Sequence, residues 1–187
     1  MLMCSSISAD EPFLADFHAD NPFMSHLYQP KSVSLAGVAL FSAAGAAHDK
    51  ALATAESLVT SSLMGHDSHG ILRIPDYLRF VENGSIISNA ETSVIRTGPT
   101  TAVTDCGKGF GPVGAARAVR EAIDIAAEQR TACVITRRCN HVGRLGAWVQ
   151  MAADQGMIAL ATCNSPIYGH FVLPWGGREG RLATNPI

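Results

Sequence analysis

Apolar residues recur at helical spacing from Val33 to Val81. The stretch opens with Ser32 to Ala47, sixteen residues without a charge, which predicts a buried first helix. Leu52, Ala55, Val59 and Leu63 fall on one face of a second helix, with Asp49 placed to cap its start. Ile74, Tyr77, Leu78 and Val81 follow i, i+3, i+4, i+7 on a third, which Asn83-Gly84 ends. After Gly98-Pro99 the texture changes. Thr101 to Asp105 reads as a short strand. Pro112 to Gln129 reads as a helix with Val113, Ala116, Val119, Ile123 and Ala126 inward. Ala132 to Thr136 predicts a buried strand, Leu145 to Gln155 a helix stopped at Gly156, and Met157 to Cys163 another buried strand. Alternating strands and helices predict an α/β layer with helices on a sheet. Met1 to Pro30 has no clear period and carries Pro12, Pro22 and Pro30, so it reads as an extension ordered against a partner subunit, with Met24 as a candidate alternative start. The last residues, Leu182 to Ile187, look like the opening of a further segment, so the chain looks cut.

Composition narrows the classes. A chain of 187 residues, 47% of them hydrophobic, makes one ordinary domain or two small ones with a real core. Fourteen Lys and Arg against sixteen Asp and Glu give a net charge of −2, with no basic stripe, so no nucleic-acid partner is expected. A spanning helix needs about 20 predominantly apolar residues, and the uncharged run is shorter and rich in Ser, Gly and Ala, so no membrane segment is expected. Met1 to Asp20 holds four acids and neither Lys nor Arg, unlike a secretory signal. The five cysteines, Cys4, Cys106, Cys133, Cys139 and Cys163, form no C-x-x-C pair, which suits reduced thiols in a cytoplasmic protein.

Candidate chemistry concentrates at Gly65-His66-Asp67-Ser68-His69-Gly70 and the following Ile71-Leu72-Arg73-Ile74-Pro75-Asp76-Tyr77. His69 and Arg73 are four apart and share a face if this segment is helical. An imidazole gives and takes a proton near neutral pH, and a guanidinium holds a carboxylate in a two-bond fork. That pairing suits chemistry on a 2-oxo acid. The plainer readings are a loop histidine bonded to backbone, Asp67 and Ser68 as caps of the following helix, and an Arg73 surface pair with Asp76 or Asp67. His66, Asp67 and His69, with His141 or His170, also permit a metal site, although the H-E-x-x-H spacing is absent.

A second cluster is Gly107-Lys108-Gly109-Phe110-Gly111-Pro112-Val113-Gly114, which contains G-x-G-x-x-G between a predicted strand and helix. Pro112 removes one N–H that should face a pyrophosphate, and Thr136-Arg137-Arg138 stands where an acid should end the next strand. An Arg pair could accept a 2′-phosphate; the alternative is that the glycines serve close packing. A third cluster, Asn140-His141-Val142-Gly143-Arg144-Leu145-Gly146-Ala147-Trp148, joins a strand to a helix start, where Gly143 permits close backbone approach and free N–H groups suit a phosphate.

Four segments of the chain resemble one family. Gly-His-Asp-Ser-His-Gly ahead of Pro75-x-Tyr77, the Asn-His-x-Gly-Arg-x-Gly-x-Trp segment from Asn140, and the later Pro174-Trp175-Gly176-Gly177-Arg178 and Thr184-Asn185-Pro186 are similar to the malate/lactate dehydrogenases of the second, non-Rossmann type, in their hydroxycarboxylate dehydrogenase branch. The likeness runs from about Val33 to Ile187 and matches the N-terminal half of such proteins. It implies an α/β fold in which a helical N-terminal region packs on a mostly antiparallel nucleotide-binding sheet. The corresponding division is 1–30 as extension, 31–98 as helical substrate and dimer region, and 99–187 as part of the cofactor domain. It implies hydride transfer between NAD or NADP and a small 2-oxo or 2-hydroxy acid, in a homodimer. His69 becomes the acid/base, Ser68 and Arg73 substrate-binding groups, and His141, Gly143, Arg144 and Leu145 cofactor contacts. Because that family binds its cofactor on another fold, the resemblance favours packing for the Gly107 to Gly114 run. Two rival functions stand beside it: a non-catalytic dinucleotide-binding subunit, and a metal-dependent enzyme using His66 and His69.

Overall fold

The computed structural model describes residues 27–164, 172–184 and 186–187. The expected extension therefore lies outside the described residues apart from its last four. Helix α1 (Pro30–Ala43) starts with a proline in its first turn, where the missing N–H costs nothing. It buries Gly37, Val38 and Phe41 and leaves Leu35 and Leu40 exposed, so the uncharged run is buried on one face only. Helix α2 (His48–Leu63) packs against it through Gly37, where a Cβ would sit 3.0 Å from that of Ala55. Ala47, not Asp49, occupies the N-cap; Asp49 lies inside the first turn, where its charge faces the positive end of the helix. The buried face of α2 is Ala51, Thr54, Ala55, Leu58, Val59 and Ser61, while Leu63, expected inward, is 65% exposed. Thr54 and Ser61 enter that face because their hydroxyls donate to the carbonyls of Lys50 and Ser57, at 2.7 and 2.8 Å.

Two short 3₁₀ turns, Asp67–His69 and Ile71–Arg73, lead into α3 (Ile74–Glu82). Gly70 separates them because a Cβ there would collide with Ser62. Asn83 caps α3 and Gly84 turns the chain at a φ of 74°, as the Asn-Gly pair predicts. Tyr77 is the buried residue of α3. With Phe41 and Phe110 it forms an aromatic cluster, centroids 5.3 Å apart for Phe41–Phe110 and 6.3 Å for each Tyr77 pair. Phe110 belongs to the sheet layer, so this cluster joins the two halves of the core.

Strand β1 (Ser93–Gly98) pairs antiparallel with β2 (Thr101–Asp105), and β2 pairs parallel with β3 (Cys133–Arg137). The crossover between β2 and β3 is α4 (Gly111–Gln129). Its fully buried line is Gly114, Ala115, Ala118, Glu121 and Ile125, about one position round from the expected stripe, whose members are half-buried flanks. Glu121 can be there because Arg96 of β1 reaches it at 2.8 Å. The molecule is thus a mixed α/β structure, with the helices gathered on one side of a small sheet.

Two expectations for buried strands are corrected. β3 is an edge strand with Ile135 61% exposed, because α4 covers only the opposite face of the sheet. Residues 157–164 form no strand, with no pairing partner among the described residues, and Ile158 and Leu160 are 103% and 80% exposed. The last helix, α5 (Gly146–Ala153), ends before Gly156, whose φ of 72° reverses the chain. No helix among the described residues is long and apolar enough to cross a membrane.

Candidate active site

The segment 65–73 is not an α-helix, yet it brings His69 and Arg73 together. The first 3₁₀ turn places Ser68 Oγ 2.9 Å from His69 Nδ1. Ser68 therefore fixes the imidazole, and neither it nor Asp67 makes the expected side-chain cap. The second turn carries Arg73 back, so that its Nε donates to Ser68 O at 2.6 Å. Arg73 Nη1 donates to Asp76 Oδ2 at 3.0 Å, the surface pair foreseen as the plain alternative. Asp76 also binds Arg79, so it is shared, and the remaining donors of Arg73 have no bond among the described residues.

His141 arrives on the loop that follows β3 and packs on the start of α4. Its ring centroid lies 5.1 Å from that of His69, and His66 lies 6.5 Å from His69 on the other side. Tyr77 holds it: the hydroxyl donates to the His141 carbonyl at 3.0 Å and lies 2.8 Å from Nδ1. The Gly143 amide approaches the same Nδ1 at 3.3 Å. His141, expected on the cofactor side, thus joins Ser68, His69 and Arg73. Tyr77 was read from the sequence only as an apolar position of α3. The signal available was that a buried tyrosine needs a partner for its hydroxyl. The partner's identity is 64 residues away.

The field of this cluster is positive. Burial, then the Arg73 guanidinium, then His66 hold the His69 imidazole below its usual proton affinity. Burial does the same to His141, with His69 and Arg73 adding to it against Asp76, down to about 4. Both rings are therefore neutral at pH 7, and Arg73 carries the charge. Burial pushes the Tyr77 phenol up, so it stays a hydroxyl. Among the described residues no group of three or more His, Cys, Asp or Glu is placed to hold a metal ion.

The glycine run from Gly107 to Gly114 is used for packing. A Cβ on Gly111 would meet the carbonyls of Asn140 and His141, and one on Gly114 would meet Cys106 Sγ. The 140–141 backbone occupies the space that a pyrophosphate would need at the start of α4. This contact sets His141 at its height above the sheet, and Asn140 Nδ2 pins the loop by donating to Lys108 O and Gly109 O at 2.8 and 3.0 Å.

Gly143, Arg144 and Leu145 follow directly. Gly143 has a φ of 75°, open to glycine at little cost. Leu145 caps α5, and the Ala147 and Trp148 amides are bonded to the Arg144 and Leu145 carbonyls, so fewer amides are free there than the sequence suggested. Arg144 folds over Gly146, with Nη1 2.8 Å from where a Cβ would be, and its buried Nε has no partner among the described residues. A guanidinium with an orphaned donor at the positive end of a helix is a fitting place for an anionic group.

The family model for malate/L-lactate dehydrogenase matches residues 30–187. The chain belongs to that family. The malate dehydrogenase of Pyrococcus abyssi is 36% identical over 144 residues, which are 76% of this chain and 39% of that protein. Hydroxycarboxylate dehydrogenase B of Escherichia coli K12 is 31% identical over 149 residues, 80% of this chain and 41% of its own length. Among solved family members, malate dehydrogenase from Pyrococcus horikoshii OT3 superimposes with a TM-score of 0.74 at 31% identity, over 84% of this chain and 44% of that one. The sulfolactate dehydrogenase of Methanocaldococcus jannaschii gives a TM-score of 0.72 at 29% identity, over 86% and 46%. The chain thus spans about two fifths of the length of the curated relatives it matches.

Proposed function

We propose that this chain carries the proton-transfer half of a NAD- or NADP-dependent oxidoreductase acting on a small 2-oxo or 2-hydroxy acid, in a soluble cytoplasmic homodimer. The observation that carries the reading is the His69 imidazole held by Ser68 beside Arg73, whose bonds among the described residues leave donors over. His69 is the acid/base, and Arg73 takes the substrate carboxylate in competition with Asp76. A nicotinamide, when bound, would supply or accept the hydride. Gly143, Arg144 and Leu145 fit its anionic portion, with Gly143 permitting close backbone approach and Arg144 supplying the positive charge.

The electrostatics give each direction a role. The resting His69 is neutral and so is ready to take the hydroxyl proton of a 2-hydroxy acid. A bound carboxylate offsets the Arg73 charge, raises the proton affinity of His69 and readies it to protonate a 2-oxo acid. His141, fixed by Tyr77, lines the same space and excludes water from one side of the His69 ring.

The test is His69→Ala in the longest product that the native cells make, whose intact mass is measured first. General acid–base groups contribute about 10²–10⁴-fold, so turnover of a 2-oxo acid panel with NADH and NADPH should fall by that factor. Cofactor affinity, followed by quenching of tryptophan fluorescence, should stay within about twofold, since the side-chain bond of His69 is to Ser68 and none among the described residues joins it to Gly143, Arg144 or Leu145. Unchanged turnover would remove His69 from the chemistry.

A further inference from the structure

The ladder between β2 and β3 continues past both strands: Cys106 N donates to Arg137 O at 3.0 Å and Lys108 N to Arg138 O at 2.8 Å. This brings Cys106 and Cys139 to the same end of the sheet. Both sulfurs meet α4 at one point. A Cβ on Gly114 would collide with Cys106 Sγ and lie 3.4 Å from Cys139 Sγ. The side chain that Gly114 lacks is the space in which the two sulfurs lie together, and Cys139 Sγ donates to Gly111 O of the same helix at 3.9 Å. Cys106 is buried and Cys139 half-buried, so the pair meets solvent through one member.

The placement also satisfies the backbone. Asp105 faces Arg137 in the parallel ladder, so Cys139 lies one residue beyond the position opposite Cys106. Cα atoms offset by one residue on strands about 4.8 Å apart fall inside the separation of about 4.4–6.8 Å that a disulfide spans. The residue before Cys139, Arg138, has a φ of 49° and so turns the chain at the point where a small shift is needed. Two residues after Cys139 comes His141, held by Tyr77.

We propose that Cys106 and Cys139 form a reversible dithiol–disulfide pair, closed by a peroxide, that clamps the loop leading to His141. One sulfur of the pair, as thiolate, attacks an oxygen of hydrogen peroxide. The O–O bond breaks, and the departing hydroxide takes a proton to become water, leaving a sulfenic acid. The second sulfur gives up its proton and attacks the sulfenic sulfur; the S–S bond forms, the S–O bond breaks and a second water leaves. Two thiols and one peroxide become one disulfide and two waters, and an external dithiol reverses the change. Disulfides inside reducing compartments are commonly of this transient kind.

The experiment is peroxide treatment of the intact folded chain, followed by alkylation, digestion and peptide mass mapping. The expected result is a peptide pair joined through Cys106 and Cys139, lighter by two hydrogens and released by dithiothreitol. Cys133→Ser, at the exposed far end of β3, should leave that crosslink in place, and Cys139→Ser should abolish it with circular dichroism unchanged. Absence of the joined peptide at a dose that fully oxidises Cys133, or a crosslink that uses Cys133 or Cys163 instead, overturns the proposal. The readout is independent of turnover, so it stands or falls separately from the dehydrogenase reading.

Discussion

His141 makes stability depend on pH in the mildly acidic range. Its folded-state pKa of about 4 lies below its ordinary value, with burial as the leading cause and the neighbouring His69 and Arg73 next. Between the two values the unfolded chain binds a proton that the folded chain does not. Stability therefore rises with pH from about 4 to about 6.5 and is lost on acidification through that window. His69 shifts in the same direction and adds to the slope. The expected outcome is a lower Tm at pH 4.5 than at pH 7, and a smaller difference in His141→Asn, measured by thermal scans in matched ionic strength. A Tm of the parent chain that is flat across this range would contradict the burial of the ring.

At the scale of elements, Gly111 shows how tightly α4 is seated. A glycine replaced by alanine in a helix ordinarily gains up to about 1 kcal/mol. Here the added methyl meets two carbonyls of the 140–141 backbone, which cannot swing aside as a side chain would. Gly111→Ala should instead cost roughly 1–3 kcal/mol, as overpacking does. It should also shift the His141 ring resonances, read by denaturant titration and NMR. These elements were unequally legible. Helical period located α2, α3 and α4 to within a residue or two, because their apolar stripes face a core. It misplaced the inward line of α4, because Glu121 is buried by an ion pair that no hydropathy reading anticipates. It missed β1, whose Ser-Val-Ile-Arg-Thr-Gly run has Arg96 on the face turned to α4. Buried and exposed strands share the same apolar signature, so β3 and the 157–164 run read as interior when they are open. Within the candidate site, His69, Ser68 and Arg73 were legible as neighbours in the chain, whereas the approach of His141 and Tyr77 is tertiary and left no local mark.

For the molecule as a whole, the aromatic cluster and the open sheet face predict opposite responses. Phe110, 2% exposed, packs the sheet layer against Phe41 and Tyr77. Phe110→Ala should cost about 3–5 kcal/mol and loosen both halves at once. Ile135→Thr, on the uncovered face, should stay within about 0.5 kcal/mol. Chemical denaturation of the two variants checks the contrast; a large loss for Ile135→Thr would mean that this face is covered in solution. The seat of Gly111 against the His141 carbonyl has a further consequence for anyone altering this protein. The glycine turn looks like a nucleotide motif, and a library built to change cofactor preference would naturally randomise it. Each added atom there would push on the 140–141 backbone and so move His141, and such a library would select for restored histidine placement before it reported anything about a ligand.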